Sequence, residues 1–234
     1  MVKRAGTAAE AHRLVARIFS LRASGVMTPE AAYDAEAKVL RFPFIEGVSG
    51  LSRLAIDGWV ILPTLLLPLK ALHETTLPDL VSYDPTAKIR KRMNTADSHV
   101  LYETLQHLLK VVSEPARNTP LHGDFHAGQL ILDAQENAWL LDLDDLAQGP
   151  PEADLGNFAA HLATRRETGF GPVPRSFVQW LNRVITAYRD IGGACDGPLA
   201  YTYGQLALIR RGLKWRERGD TSVLSEIMAG MPLR

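Results

Sequence analysis

The chain has 234 residues, enough for one large domain or two small ones with a substantial core. Lysine plus arginine and aspartate plus glutamate balance at 26 each, so no global charge draws it to nucleic acid or to an anionic membrane. Its single cysteine, Cys195, excludes an intramolecular disulfide and makes cytosolic residence natural, and no apolar secretion-signal run follows the N-terminal Met-Val-Lys-Arg.

In chain order, Ala11, Leu14, Val15, Ile18 and Phe19 recur at helical spacing and predict a helix over 8–22, opened by a capping box from Thr7 to Glu10. Residues 38–45 suggest a strand that runs into an extended segment, since Pro43 cannot donate to a ladder. Residues 59–73 are apolar and predicted helical after Pro63; the run from Trp59 to Leu69 is too short to cross a bilayer. Over 96–112, Val100, Leu101, Leu105, Leu108, Leu109 and Val112 mark an amphipathic helix.

The pattern then changes. Leu130 to Leu132 and Trp139 to Leu143 read as short strands joined by the polar loop 133–137, a hairpin. Asp154 is the expected N-cap of a helix carrying Leu155, Phe158 and Leu162. Phe177, Leu181, Val184, Ile185 and Tyr188 form one face of another helix, ended by Gly192-Gly193. A last helical tract covers 201–218. The sum is a small strand-bearing N-terminal part and a mostly helical remainder with an embedded hairpin, an α+β chain.

Around that hairpin stands the most informative stretch, Leu121-His-Gly-Asp-Phe-His-Ala-Gly-Gln, followed by Asp142 in Leu-Leu-Asp-Leu-Asp-Asp. Phosphoryl transfer needs a positioned base, oxygen ligands for Mg²⁺ and cations on the phosphates. Asp124 suits the base. Gln129 offers a neutral amide oxygen and Asp142 an anionic one, the hard donors magnesium prefers. A metal-dependent hydrolase built on His122, Asp124, His126 and Asp142 is the weaker reading, because Gly123 and Gly128 disfavour the helix that would align the histidines.

These residues resemble the aminoglycoside phosphotransferase and choline kinase superfamily, whose fold is protein-kinase-like. His122-Gly123-Asp124 matches its catalytic loop and Leu141-Asp142-Leu143 its metal motif, with Gln129 in a maltokinase-like variant of the usual Asn. The resemblance implies Asp124 as catalytic base, with Gln129 and Asp142 as Mg²⁺ ligands. It implies an inter-lobe hinge from Phe42 to Gly47, with backbone groups at Phe42 and Phe44 facing adenine, and Lys3 with Glu10 as the phosphate lysine and its helix partner. Leu72-His73 and the stretch from Asp154 to Leu162 look like further family positions. The division implied is 1–47, a reduced N-terminal lobe and hinge, and 48–234, the helical C-terminal lobe. The expected reaction moves the γ-phosphate of ATP to a hydroxyl of a small molecule, such as an aminoglycoside, sugar or amino alcohol, in the cytoplasm and without a nucleic-acid or membrane partner. Asp144, Asp145, Glu152 and Asp154 are the carboxylates available to attract a cationic acceptor. The glycine-rich hairpin of a complete kinase lobe has no counterpart here, so a catalytically impaired binding module stays open as the alternative.

Overall fold

Local chemistry starts the first helix where the sequence predicts. The Thr7 hydroxyl accepts the Glu10 N–H, and the Glu10 carboxylate takes the Thr7 N–H at 2.9 Å, so two otherwise orphaned donors of α1 (Ala8–Ala23) are satisfied reciprocally. The structure, a computed structural model, describes residues 1–94, 99–112, 117–165, 168 and 171–231. β1 (Val2–Arg4), β2 (Ala32–Asp34) and β3 (Val39–Arg41) form an antiparallel sheet in the order β1-β3-β2, with Lys3 opposite Leu40. The strand expected over 38–45 is shorter at both ends. Lys38 belongs to the turn, at φ 53°, and the chain leaves the ladder before Pro43.

β4 (Val48–Ser49), α2 (Gly50–Asp57), a 3-10 turn (Gly58–Ile61) and α3 (Leu62–His73) follow. The helical stretch Gly50–His73 is continuous, and so is longer than the apolar run suggests; by length and composition it matches a membrane span. Five of its leucines, Leu62, Leu65, Leu66, Leu69 and Leu72, are buried in the core, while Leu67 is exposed. α3 begins at Leu62, one residue before Pro63, because the first helical turn has no N–H to lose.

α4 (Ala87–Arg90) and α5 (His99–Val111) precede the site; Ala96 lies outside the described residues. β5 (Thr119–Leu121) pairs with β8 (Ala147–Gly149), Leu121 opposite Ala147, a ladder absent from the sequence reading. Between them lies the hairpin of β6 (Leu130–Leu132) and β7 (Ala138–Leu140), and β6 also pairs with β4. The predicted second strand ends at Leu140 because Asp142 turns left-handed, at φ 56°.

Four helices complete the chain: α6 (Glu152–Ala163), α7 (Val173–Asp190), α8 (Gly197–Glu217) and α9 (Ser222–Gly230). α6 is buried along nearly its whole length, polar residues Glu152, Asp154 and Asn157 included. It meets α8 closely. A Cβ on Gly156 would lie 2.5 Å from the Gly204 nitrogen. α8 starts earlier than the predicted 201, where the Asp196 carboxylate caps the Leu199 N–H.

Candidate active site

The β5–β8 ladder closes the base of one excursion, residues 122–146, which carries both Asp124 and Asp142. Gly123 sits at φ 78°, and a Cβ there would approach the Asp145 carbonyl oxygen to 2.2 Å. Only glycine therefore lets the Asp124 loop lie against the turn that follows Asp142. His122, fully buried, joins the same two segments. Its Nε2 donates to the Leu141 carbonyl at 2.8 Å and its Nδ1 accepts the Asp124 N–H at 3.3 Å, a tautomer assigned from these partners.

Beneath the loop stands Asp154. Its carboxylate accepts the backbone N–H groups of His122 (2.8 Å) and Gly123 (3.0 Å) and meets Nε2 of His73 at 3.1 Å, while His73 Nδ1 meets the Tyr188 hydroxyl at 2.8 Å. This corrects the expectation that Asp154 is an N-cap. α6 begins two residues earlier, at Glu152, so Asp154 points inward to the loop and is 1% exposed. Three residues on, Asn157 donates to the Phe125 carbonyl at 2.8 Å and accepts Arg210 Nη2 at 2.6 Å. The loop is thus held by its backbone from below.

Asp124 faces cations. Arg210 of α8 donates to its Oδ1 at 2.8 Å, and Lys88 of α4 lies 3.9 Å from Oδ2. Burial pushes this carboxyl up, but Arg210 and Lys88 outweigh it and hold the group below the usual carboxylate range. Asp124 is therefore an anion at neutral pH, able to accept a hydrogen bond from a hydroxyl. Beside it, His126 stacks on His161 with ring centroids 4.1 Å apart, and burial pushes the His126 imidazole down to about 4.

Gln129 and Asp142 do meet: the Gln129 amide nitrogen donates to Asp142 Oδ2 at 3.1 Å. Lys3, from β1, donates to Asp142 Oδ1 at 2.9 Å and also contacts Asp144. Burial lowers the Lys3 ammonium's affinity for its proton, but the bonds to Asp144 and Asp142 more than restore it. Lys3 and Glu10 are not brought together, since Glu10 is closed into its cap with Thr7. At the expected hinge, Phe42 pairs its backbone N–H and carbonyl with Met1, at 2.9 and 2.8 Å, and the Phe44 ring is 85% exposed.

The histidines do not form a metal centre with the aspartates. His122 is engaged by backbone and His126 by His161, and among the described residues no group of three or more His, Cys, Asp or Glu side chains is placed to hold an ion. The four carboxylates expected to draw a cationic acceptor are also engaged internally. Asp144 holds Lys3, Asp145 holds Lys88 at 2.7 Å, Glu152 accepts the Asp196 N–H at 2.8 Å, and Asp154 holds the loop.

As sequence, the basic stretches 88–92 and 210–218 read as solvated helix faces rather than a polyanion site, so the contacts of Lys88 and Arg210 with Asp124 went unseen, as did the role of Asn157. Asp154 and Asn157 carried a usable signal: polar residues three apart among Leu155, Phe158 and Leu162 on a buried helix must have buried partners.

Among curated proteins, none matches this chain by sequence. Solved structures match it in fold. An amicoumacin kinase in complex with AMP-PNP and Ca²⁺ superposes with a TM-score of 0.73 at 11% identity, over 96% of this chain and 77% of that one. A choline kinase from Streptococcus pneumoniae gives 0.67 at 14%, over 98% and 84%. An aminoglycoside phosphotransferase from Streptomyces rimosus gives 0.58 at 20%, over 87% and 82%. The architecture is thus the protein-kinase-like α+β fold anticipated from the catalytic-loop motif. The phosphotransferase enzyme family matches residues 1–194, most of the chain. This protein therefore belongs to the phosphotransferase enzyme family, and by fold it stands among small-molecule kinases.

Proposed function

We propose that the chain transfers the γ-phosphoryl group of ATP to a hydroxyl of a small molecule. The observation that carries this reading is Asp124: an anion on a loop whose backbone Asp154 fixes, tied through His122 to the strand end that bears Asp142. Asp124 accepts the hydrogen bond of the acceptor hydroxyl and so aims its oxygen. That oxygen forms the new bond to the γ-phosphorus as the bond to the ADP oxygen breaks, and the hydroxyl proton passes toward Asp124 as its oxygen loses charge.

A magnesium ion, when bound, neutralises charge on the phosphate oxygens. The donor set fits such an ion, because two carboxylates, Asp142 and Asp144, already converge on one ammonium, that of Lys3. Asp142 and the Gln129 amide oxygen would hold the metal, and Lys3 lies at the same edge to meet phosphate. Adenine is assigned to the hinge 42–47, where the Phe44 backbone makes no hydrogen bond within the described residues. The alternative of a binding module without catalysis has less support, since Lys3 meets Asp142 and Asp124 is held as an anion by Arg210, as a working site would need. The same reading places the protein in the cytoplasm, with ATP as donor.

Calorimetric titration with AMP-PNP, with and without Mg²⁺, tests the donor half. Tight binding that requires the metal is expected, and absence of any nucleotide binding defeats the proposal. An ATP-consumption screen over hydroxylated small molecules tests the acceptor half.

A further inference from the structure

On the α4–α8 side of Asp124 the chain collects charge of one sign. A cavity of about 280 Å³ opens beside the Asp124 carboxylate and is lined by Lys88, Lys91, Arg92, Arg210, Arg211 and Lys214. It shares His126, His161, Arg211 and Lys214 with a larger cavity of about 770 Å³. Within the smaller cavity Asp124 is the one lining carboxylate. Lys88 has Asp145, and Arg92 lies 3.3 Å from Glu217. With those carboxylates counted, three of the six cations stand in no ion pair among the described residues; the larger cavity adds Asp220 and Glu226, which cap the Ser222 and Val173 N–H groups.

The three without a carboxylate partner among the described residues are Lys91, Arg211 and Lys214. Arg211 is buried, with its Nε on the Thr164 hydroxyl. Burial, then Arg218 and Arg211, disfavours the charged form of Lys214. Arg210 and Lys214 stand four apart on α8, where like charges repel. His161, lining both cavities, leaves a buried Nδ1 without a hydrogen-bond partner. Uncompensated charge at a cleft costs stability, and such sites concentrate where a ligand supplies the missing partner. The Lys3 side has the opposite balance, with Asp142 and Asp144 against one ammonium. That side calls for a metal-bound phosphate, and the α8 side calls for an anion of its own.

We infer that the acceptor is an anion: a hydroxylated small molecule bearing a phosphate or carboxylate, held by Lys91, Arg211 and Lys214 with its hydroxyl at Asp124. This inference rests on the phosphotransferase reading above and narrows an acceptor that the sequence leaves open among aminoglycoside, sugar and amino alcohol.

The test uses the full chain saturated with AMP-PNP and Mg²⁺, so that nucleotide phosphates cannot account for anion binding. Inorganic phosphate, glucose 6-phosphate and gluconate are titrated by calorimetry beside glucose and glucosamine, and ATP consumption is measured with each sugar. Binding of the anions, with turnover favouring an anionic sugar over glucose and glucosamine, is the expected result. Lys91→Gln with Lys214→Gln removes two exposed side chains, so folding is kept. Anion affinity should then fall about tenfold or more while AMP-PNP affinity stays within about twofold, since charge-assisted hydrogen bonds are local. Preference for glucosamine overturns the inference, as does failure of all three anions to bind, or anion affinity unmoved by the double variant. Anion binding that vanishes when AMP-PNP saturates the protein assigns these cations to the nucleotide and overturns it too. If AMP-PNP itself does not bind, the phosphotransferase reading has failed first. If it binds and only amines are phosphorylated, that reading stands and the anionic acceptor falls.

Discussion

Two halves of the site are built differently. Around Asp142, side chains reach across solvent: those of Lys3, Asp142 and Asp144 are 36, 46 and 44% exposed. Under Asp124 the supports are interior, with the Asp154 side chain at 1% and that of Arg210 at 12%. The exposed half can rearrange at little cost, because surface ion pairs contribute only about 0–1 kcal/mol. The buried half cannot, because each of its polar groups depends on a partner inside the protein. An adjustable cluster of exposed carboxylates thus sits opposite a fixed one.

The first way to sharpen this contrast is Asp124→Asn, which keeps shape and removes the anion. Turnover should fall by about 10³-fold, in the range usual for a lost general base, in a chain that still folds but melts lower because Arg210 loses its anionic partner. Full activity would remove Asp124 from the chemistry. Next comes Asp154→Ala, which strands the N–H groups of His122 and Gly123 in the interior. A loss of about 3 kcal/mol or more in urea unfolding is expected, together with falling activity. A silent substitution there would mean the loop is held by something else.

Acid should find the buried half first. The unfolded His126 imidazole binds its proton near pH 6.5, while the folded one resists until about 4. Stability contributed by that difference is whole above pH 6.5 and drains away as pH falls toward 4, by roughly 3 kcal/mol at most. Urea midpoints measured across this window should decline, and His126→Gln should flatten the slope. The smallest effect belongs to Lys3→Met. Unfolding should shift by less than about 1 kcal/mol while the KM for ATP rises, as expected for an exposed pair that serves ligand. If Lys3→Met unfolds the protein as Asp154→Ala does, the two halves are not distinct.

Much of this was legible because it is local. The capping box at Thr7, the hairpin, the helix over 177–188 and the meeting of Gln129 with Asp142 all follow from residues near one another in sequence. What was hidden is long-range. Arg210 reaches Asp124 across 86 positions, Asp154 reaches Gly123 across 31, and the β5–β8 ladder joins short segments with weak strand patterns. Asp154 misled for a physical reason: an aspartate at a helix start has two uses, and only tertiary packing shows which way it points. The engagement of the acidic residues near the site was hidden for the same reason. Counting acidic residues could not reveal that Asp144, Asp145, Glu152 and Asp154 each answer to an internal partner.

Because Asp154 grips main-chain amides, the register of residues 122 and 123 is independent of what the following positions carry. Side chains farther along can then be retailored without unseating Asp124. Exchange of Gln129 for a shorter amide would move an oxygen by about one methylene and leave its foundation in place, so lineages can drift at this position while the machine beneath stays assembled.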